Sequence, residues 1–330
     1  MVLSRPMKHP PLTVEITRGP AVESRHAVHA VLMNGQGEIT ATFGDSRRLT
    51  FPRSCIKPLQ AIPLMETGAA EAYNLSDTEI ALACASHSGE EKHTSAVAQW
   101  LKRLSLNDEA LECGAHAPYS SSGSPATNLC NNCSGKHTGM LTLALFLKAP
   151  LAGYTNANHL VQQMILKAVG EMCDVSITPA SCGIDGCSAP NPLIPLEKIA
   201  RGFSTFMKPQ NLFPARAAAC RRIFQVMTTY PELVGGTGRL DTVLMDAAKG
   251  KILCKVGAEG LHACVIPDKN TALVLKVEDG ASRAGQAALY TLLKMYRLAD
   301  AAILETIRPI TLPVQRNWRG TEVGTIRVEA

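Results

Sequence analysis

Aromatic residues make up only 5% of this chain of 330 residues, with two tryptophans among them. So small a supply gives poor support to stacking on nucleic-acid bases. A strong charge of one sign is also missing. The formal net charge is +5, and the only tight basic pairs outside mixed-charge stretches are Arg47-Arg48 and Arg221-Arg222. Such a distribution reads as solvated surface, not as a groove that tracks phosphates. No window approaches the roughly 18 consecutive apolar residues of a membrane span. Met1 to Pro20 lacks the apolar centre of a secretory leader, so a cytoplasmic location is expected. A complete disulfide framework is excluded by an odd count of 11 cysteines, and the expected compartment disfavours disulfides in any case. Most of these thiols, Cys84 and Cys220 among them, are expected as small buried hydrophobes, leaving a few as ligands.

What the chain does have is core. Hydrophobic residues are 46% and charged residues 18%, a balance that suits one large domain or two closely packed lobes. There is no internal repeat and no low-complexity linker. Leu12 to Arg18 and part of His26 to Leu32 alternate apolar and polar residues, and Asn34-Gly35-Gln36-Gly37 supplies a turn before Glu38 to Phe43. The period then changes. Ser54 reads as the N-cap of a helix running to Met65, with Pro58 tolerated in its first turn and Pro63 shortening or kinking it. Ser76-Asp77-Thr78-Glu79 is a capping box opening Ile80 to Ala85, and Glu90 to Leu106 has helical spacing. A polar stretch from Gly114 to Asn132 follows, with a loop at Ser120 to Ser124. Helical patterns return at Lys136 to Lys148, His159 to Met172, Pro195 to Met207 and Pro214 to Tyr230, and Ser181 to Asn191 reads as a loop. After Thr242 the character reverts to strand, at Ile252 to Val256, Leu261 to Ile266 and Ala272 to Glu278. A long helix over Ala281 to Leu298 and a last strand over Glu322 to Val328 complete the order. The economical arrangement is an antiparallel sheet fed by both chain ends, about 10–53 and 240–330, with a helical lobe at about 54–239 inserted between.

The chemistry-bearing residues begin at Arg53-Ser54-Cys55-Ile56-Lys57. A serine hydroxyl is a weak nucleophile until a neighbour takes its proton, and a lysine three positions along a helix shares its face. Burial or nearby positive charge must lower the amine's pKa before it can act as a base. Arg53 could add to the field or hold a substrate carboxylate bidentately. Ser-x-x-Lys alone is a weak signal. Lys255-Val256-Gly257 strengthens it, because it lies on an expected strand in the region where serine β-lactamases and penicillin-binding proteins place Lys-Thr-Gly. Ser86, in Ala85-Ser86-His87-Ser88-Gly89-Glu90, follows an apolar helix and is expected to face a cleft. His87 would rank as a base, but neither a Ser-His-Asp spacing nor a Gly-x-Ser-x-Gly elbow accompanies it. Cys130-x-x-Cys133 has no second pair for a four-cysteine site. Cys133 with Cys187, and a nitrogen from Lys136 or His137, could hold Zn²⁺ with a position open. Buried structural thiols are the alternative.

Taken together, Arg53-Ser54-x-x-Lys57-Pro58-Leu59-Gln60, Ala85-Ser86-His87-Ser88, Cys133-Ser134-Gly135-Lys136-His137, Asp185-Gly186-Cys187 and Lys255-x-Gly257-Ala258-Glu259-Gly260 resemble the rhizobial-type L-asparaginases, the asparaginase II family. The resemblance covers nearly the whole chain in order. It implies an α/β (α+β) fold similar to serine β-lactamases, penicillin-binding proteins and serine-dependent glutaminases, with an antiparallel sheet flanked by helices, usually as a homodimer. It implies two Ser-Lys tandems, Ser54 with Lys57 and Ser86 with Lys255, with Ser54 as the nucleophile. It also implies zinc ligands at Cys133, Lys136 and Cys187, placing Lys136 ahead of His137. The metal would support substrate binding and not generate the nucleophile, and Asp185 would meet the substrate amine. The expected reaction is hydrolysis of L-asparagine, with backbone N–H groups near the start of the helix holding the oxyanion. Rival readings are a zinc amidohydrolase or deaminase using His87-x-x-Glu90 with Cys130-x-x-Cys133, a penicillin-recognising protein, and a non-catalytic amino-acid-binding protein.

Overall fold

The computed structural model describes residues 6–119 and 123–329. Ser120, Ser121 and Ser122, part of the expected loop, lie outside the described residues, as do Met1 to Arg5. The alternating first segment forms β1 (Met7–His9), β2 (Leu12–Arg18), β3 (Ala21–Met33) and β4 (Ile39–Phe43). β3 is exposed or half-buried in alternation at first, then buried without interruption from Val28 to Met33. A strand covered on one face alternates, and a strand covered on both does not. The second half of β3 therefore marks the middle of the molecule. β5 (Leu253–Val256), β6 (Leu261–Ile266), β7 (Thr271–Val277) and β8 (Ile326–Glu329) complete an eight-stranded sheet with the path β1-β4-β3-β7-β6-β5. β2 pairs with the first half of β3, and β8 with β2. All pairings in this sheet are antiparallel except β1 with β4.

Besides two single turns, Ala69–Ala72 and Pro231–Val234, the helices are α1 (Lys57–Gln60), α2 (Ile62–Glu66), α3 (Asp77–Ala83), α4 (Glu91–Arg103), α5 (Ser134–Phe146), α6 (Leu160–Cys173), α7 (Leu196–Ser204), α8 (Pro214–Thr229), α9 (Leu240–Ala248), α10 (Ser282–Met295) and α11 (Ala301–Thr311). α7 buries Leu196, Ile199, Ala200 and Phe203 against β3, β6 and β7, the spacing of an amphipathic helix on a sheet. α10 packs on the sheet through small residues, Ala284, Gly285, Ala287 and Ala288. α5 is buried from Ser134 to Ala144, so it has no solvent face and shows little amphipathic pattern. A Cβ on Gly135 would stand 2.5 Å from Leu82 O, so glycine there lets α5 close on α3.

Several expectations are corrected. Ser54 does not cap a helix. It lies in a 3₁₀ turn, Arg53–Ile56, after Pro52, and α1 begins only at Lys57. The Ser76 capping box is present, with Ser76 and Glu79 bonded reciprocally. The expected helix from Ser54 to Met65 is divided at Ala61 into α1 and α2, because Pro63 offers no N–H to Leu59 O. The strand character expected from Thr242 begins only at Leu253. Before it, α9 buries Leu240, Leu244, Met245 and Ala248 and ends where Lys249 turns left-handed, at φ 46°. α11 and β1 were not expected. Asp300 caps α11 by accepting from Ile303 N at 2.9 Å, and Pro309 sits inside it. The Ser181 to Asn191 loop contains a small hairpin pairing Cys182–Ile184 with Pro190–Pro192. The last expected strand is broken at Thr325, with Glu322–Gly324 pairing to Gln315–Arg316 and Ile326–Glu329 joining the sheet.

Candidate active site

The 3₁₀ turn, the segments just after α3 and just before α5, the end of β5, the start of β6 and the starts of α9 and α10 line a cleft of about 350 Å³. Ser54, Ser86, Tyr119, Asn132, Arg239 and His262 are among its walls. The turn can sit this close to β5 because residue 257 has no side chain. A Cβ on Gly257 would lie 3.0 Å from Cys55 Cβ and 3.1 Å from Pro52 O. Cys55 then pins the turn to the strand by donating its thiol to Lys255 O at 3.3 Å. That gives the Lys255-x-Gly257 spacing a physical reason.

Lys57 is buried, and its amine lies 2.6 Å from Ala85 O, 2.9 Å from Ser86 Oγ and 3.3 Å from Asn132 O. The two carbonyls can only accept, so they take two N–H bonds. The third position of Nζ faces the Ser86 hydroxyl, to which it can donate as an ammonium or from which it can accept as an amine. Among the described residues, the hydroxyl bonded to Lys57 is that of Ser86, and Ser54 Oγ has no hydrogen-bond partner. Ser54 is half-buried and Ser86 almost fully buried. Lys255, completely buried on β5, donates to Val256 O at 2.8 Å and is not hydrogen-bonded to Ser86. Burial pushes its amine down to about 8, Asp241 opposes that shift, and the Lys57 charge assists it.

Arg53 and Asp185 are held by each other, with Nε to Oδ1 at 2.7 Å, and Arg53 adopts a left-handed φ of 49°. Asn191 ties into the same pair by accepting from Arg53 N at 3.3 Å and donating to Asp185 Oδ2 at 3.4 Å. This pair is not among the walls of the serine cleft. Lys136 Nζ lies 3.0 Å from Cys187 Sγ. Cys187 is held far below the usual thiol range by its bond with Cys133 and by the Lys136 charge, while the Cys133 thiol is pushed up. His137 donates or accepts at Nδ1 with Tyr154 Oη at 2.7 Å, and its buried Nε2 has no partner. Two thiols, with an unpartnered imidazole nitrogen beside them, are donors of the kind zinc takes, whereas Lys136, kept protonated despite its burial by the Cys187 and Cys133 charges, would have to lose its proton to join them. The residues present therefore fit that ion. Among the described residues no group of three or more His, Cys, Asp and Glu alone could hold a metal.

His87 is placed elsewhere. Its Nδ1 accepts from Gly89 N at 3.2 Å, which leaves the proton on Nε2, 2.9 Å from Ser134 Oγ. Burial holds it well below the usual histidine range, and its ring stacks on His93 at 4.8 Å. Glu90 bonds Thr237 at 2.7 Å. The His87-x-x-Glu90 reading thus has both side chains engaged outside the cleft. An expected oxyanion donor is also spent, since Cys55 N donates to Pro52 O at 3.1 Å. Sequence reasoning missed Tyr119, Asn132, Arg239, Asp241 and His262. Asn132 directly precedes Cys133, but nothing in the sequence there signals that its carbonyl meets Lys57.

A model of the L-asparaginase II family matches residues 14–328. No curated protein sequence matches the chain. Among solved structures, the chain is similar to a β-lactamase from Mycobacterium bovis, at 15% identity and a TM-score of 0.46, covering 82% of this chain and 94% of that one. It is also similar to Mglu in its native form, at 13% identity and a TM-score of 0.47, covering 83% of this chain and 65% of that one. No helix among the described residues is long and apolar enough to cross a membrane.

Proposed function

Because the chain belongs to the L-asparaginase II family, we propose that it hydrolyses L-asparagine to L-aspartate and ammonia through a serine acyl-enzyme. The observation that carries this reading is a single cleft lined by both Ser54 and Ser86, with the buried Lys57 amine 2.9 Å from the Ser86 hydroxyl. Ser54 is the nucleophile, because its hydroxyl has no hydrogen-bond partner among the described residues and lines the cleft. Ser86 and Lys57 form the acceptor. As Ser54 Oγ bonds to the side-chain amide carbon, its proton passes to Ser86 while the Ser86 proton moves to Lys57 Nζ. The C–N bond then breaks, and ammonia leaves with a proton returned from the lysines. Water attacks the β-aspartyl ester with the same groups acting as base, freeing aspartate and Ser54. Lys255 is the second proton carrier, since an amine near 8 exchanges readily at physiological pH.

Cys133, Lys136 and Cys187 would hold Zn²⁺, which supplies an electrophilic anchor for substrate heteroatoms. The Arg53–Asp185 pair offers one cation and one anion to an amino acid's carboxylate and ammonium. A cytoplasmic homodimer completes the reading, and a purely monomeric species in sedimentation would remove the dimer. The deciding experiment is an acid quench during asparagine turnover, followed by intact mass and peptide mapping. An aspartyl adduct on the peptide carrying Ser54, lost in Ser54→Ala, is the expected result. An adduct on Ser86, or full ammonia release by Ser54→Ala, would overturn the assignment of the nucleophile.

A further inference from the structure

Behind Lys255 lies a group of buried polar side chains that acyl transfer as described does not use. Asp241, the second residue of α9, is completely buried, and neither carboxylate oxygen has a hydrogen-bond partner among the described residues. Its Oδ2 stands 3.7 Å from Lys255 Nζ, beyond hydrogen-bond length. On β6, His262 lies opposite Val256, and both nitrogens of its buried ring are unpartnered. The fold leaves out side chains to house these two groups. A Cβ on Gly235 would come within 2.6 Å of Asp241 Oδ1, and one on Gly285 of α10 within 2.6 Å of His262 Nε2.

A buried carboxylate without N–H donors is costly unless a cation answers it. The groups facing Lys255 are Asp241 of α9, Lys57 of α1, Cys55 of the 3₁₀ turn, Arg239 just before α9 and the buried Cys84 thiol at the end of α3. His262 faces the same carboxylate from β6 and is kept uncharged, because burial pulls it down to about 4. Asp241 is thus the one carboxylate in the group, and Lys57 and Arg239 repel a proton on Lys255.

We propose that Asp241 is the positioning counter-ion of Lys255, drawing the amine from Val256 O into direct contact whenever Lys255 carries a proton. The inference rests on the reading of Lys255 as a proton carrier in amide hydrolysis. When the amine loses its proton, nothing draws it to Asp241 and its bond to Val256 O, 2.8 Å long here, is the one it keeps. Asp241 touches no substrate, since it is completely buried and is not among the cleft walls. It acts through how readily Lys255 keeps its proton. Without it, burial and two neighbouring cations would strip that proton too early to serve the departing ammonia.

The test compares the full-length wild type with Asp241→Asn. kcat/KM for asparagine and urea-unfolding stability are both followed between about pH 6 and 10. The falling limb belonging to Lys255 shifts to lower pH by about one unit or more in Asp241→Asn, and kcat/KM at pH 7 falls about twofold or more as that limb crosses it. The stability lost by the variant is larger at the acid end, where the wild type keeps its ion pair, than at the alkaline end. A lower kcat with an unmoved limb, or a stability loss equal at all pH values, would make Asp241 a mere brace. If Asp241→Asn does not fold, Lys255→Met/Asp241→Asn decides. Recovery of folding supports the pair, and equal failure overturns it. The stability arm needs no substrate, so a wild type that releases no ammonia would sink the proposed function and leave this test intact.

Discussion

Lys57 and Lys255 are both buried, yet the atoms around their amines differ. Lys57 has two carbonyls and a serine hydroxyl within 3.3 Å, a fixed socket aligned for transfer with Ser86. Lys255 has one carbonyl bond and an unbonded carboxylate nearby, and burial depresses it to about 8 from 10.5. For activity, a donor that must hold its proton gives kcat/KM a limb falling through about pH 8, which Lys255→Met removes along with most of the rate. A profile in Lys255→Met that keeps the limb would show that another group titrates there. For stability the sign is the reverse of a lysine held by a partner. Below about 8 the native state carries the full cost of a buried ammonium, about 3 kcal/mol. That cost is relieved as pH rises from about 8 towards 10.5. The unfolding free energy of the wild type should therefore rise with pH relative to that of Lys255→Met through this window.

At the scale of elements, catalytic geometry depends on how closely a turn approaches a strand. Gly257→Ala would insert a methyl 3.0 Å from Cys55 Cβ, so the Ser54 turn must withdraw by a few tenths of an ångström. A small misplacement of a nucleophile costs rate far more than it costs fold. We expect kcat to fall about tenfold or more while Tm changes by only a few degrees. A large loss of Tm with normal kcat in the folded fraction would mean that Gly257 serves packing alone. A contrasting case is Ser76→Ala, which breaks the α3 capping box and should cost about 1 kcal/mol in urea unfolding with kcat unchanged. These elements also mark what was legible. The Ser76 box, α7 and α10 follow local rules, so sequence alone placed them. Ser54 did not follow them, because a left-handed Arg53 after Pro52 starts a 3₁₀ turn in place of a capped helix. α9 is a short apolar run that periodicity cannot separate from a strand, and Pro309 hid α11. The motif blocks named Ser54, Lys57, Ser86 and Lys255, but which amine meets which hydroxyl is decided by α3 and α5 packing. Asp241 and His262 carried no signal at all, since only the pairing of β5 with β6 and the docking of α9 bring them to Lys255.

Across the whole molecule, the thiol cluster joins segments that nothing else in the sequence links. Cys133 and Lys136 open the buried helix α5, and Cys187 comes from the small hairpin that also carries Asp185 and hence Arg53. An ion held there would fasten the hairpin to the core, and its binding energy would become folding energy. Removing it should act on two readouts at once. Chelation lowers Tm, and it raises KM for asparagine while kcat at saturation changes by less than about threefold. That pattern follows if the metal anchors substrate and the nucleophile is a serine. Loss of kcat without change in KM, restored by zinc, would instead require a metal-generated nucleophile and would displace Ser54. Cys187→Ser supplies the control. It should mimic chelation in both KM and Tm and make the enzyme indifferent to chelator, because the cluster has lost the thiol that sits against Lys136. If Cys187→Ser leaves KM unchanged and stays chelator-sensitive, the metal lies elsewhere in the chain.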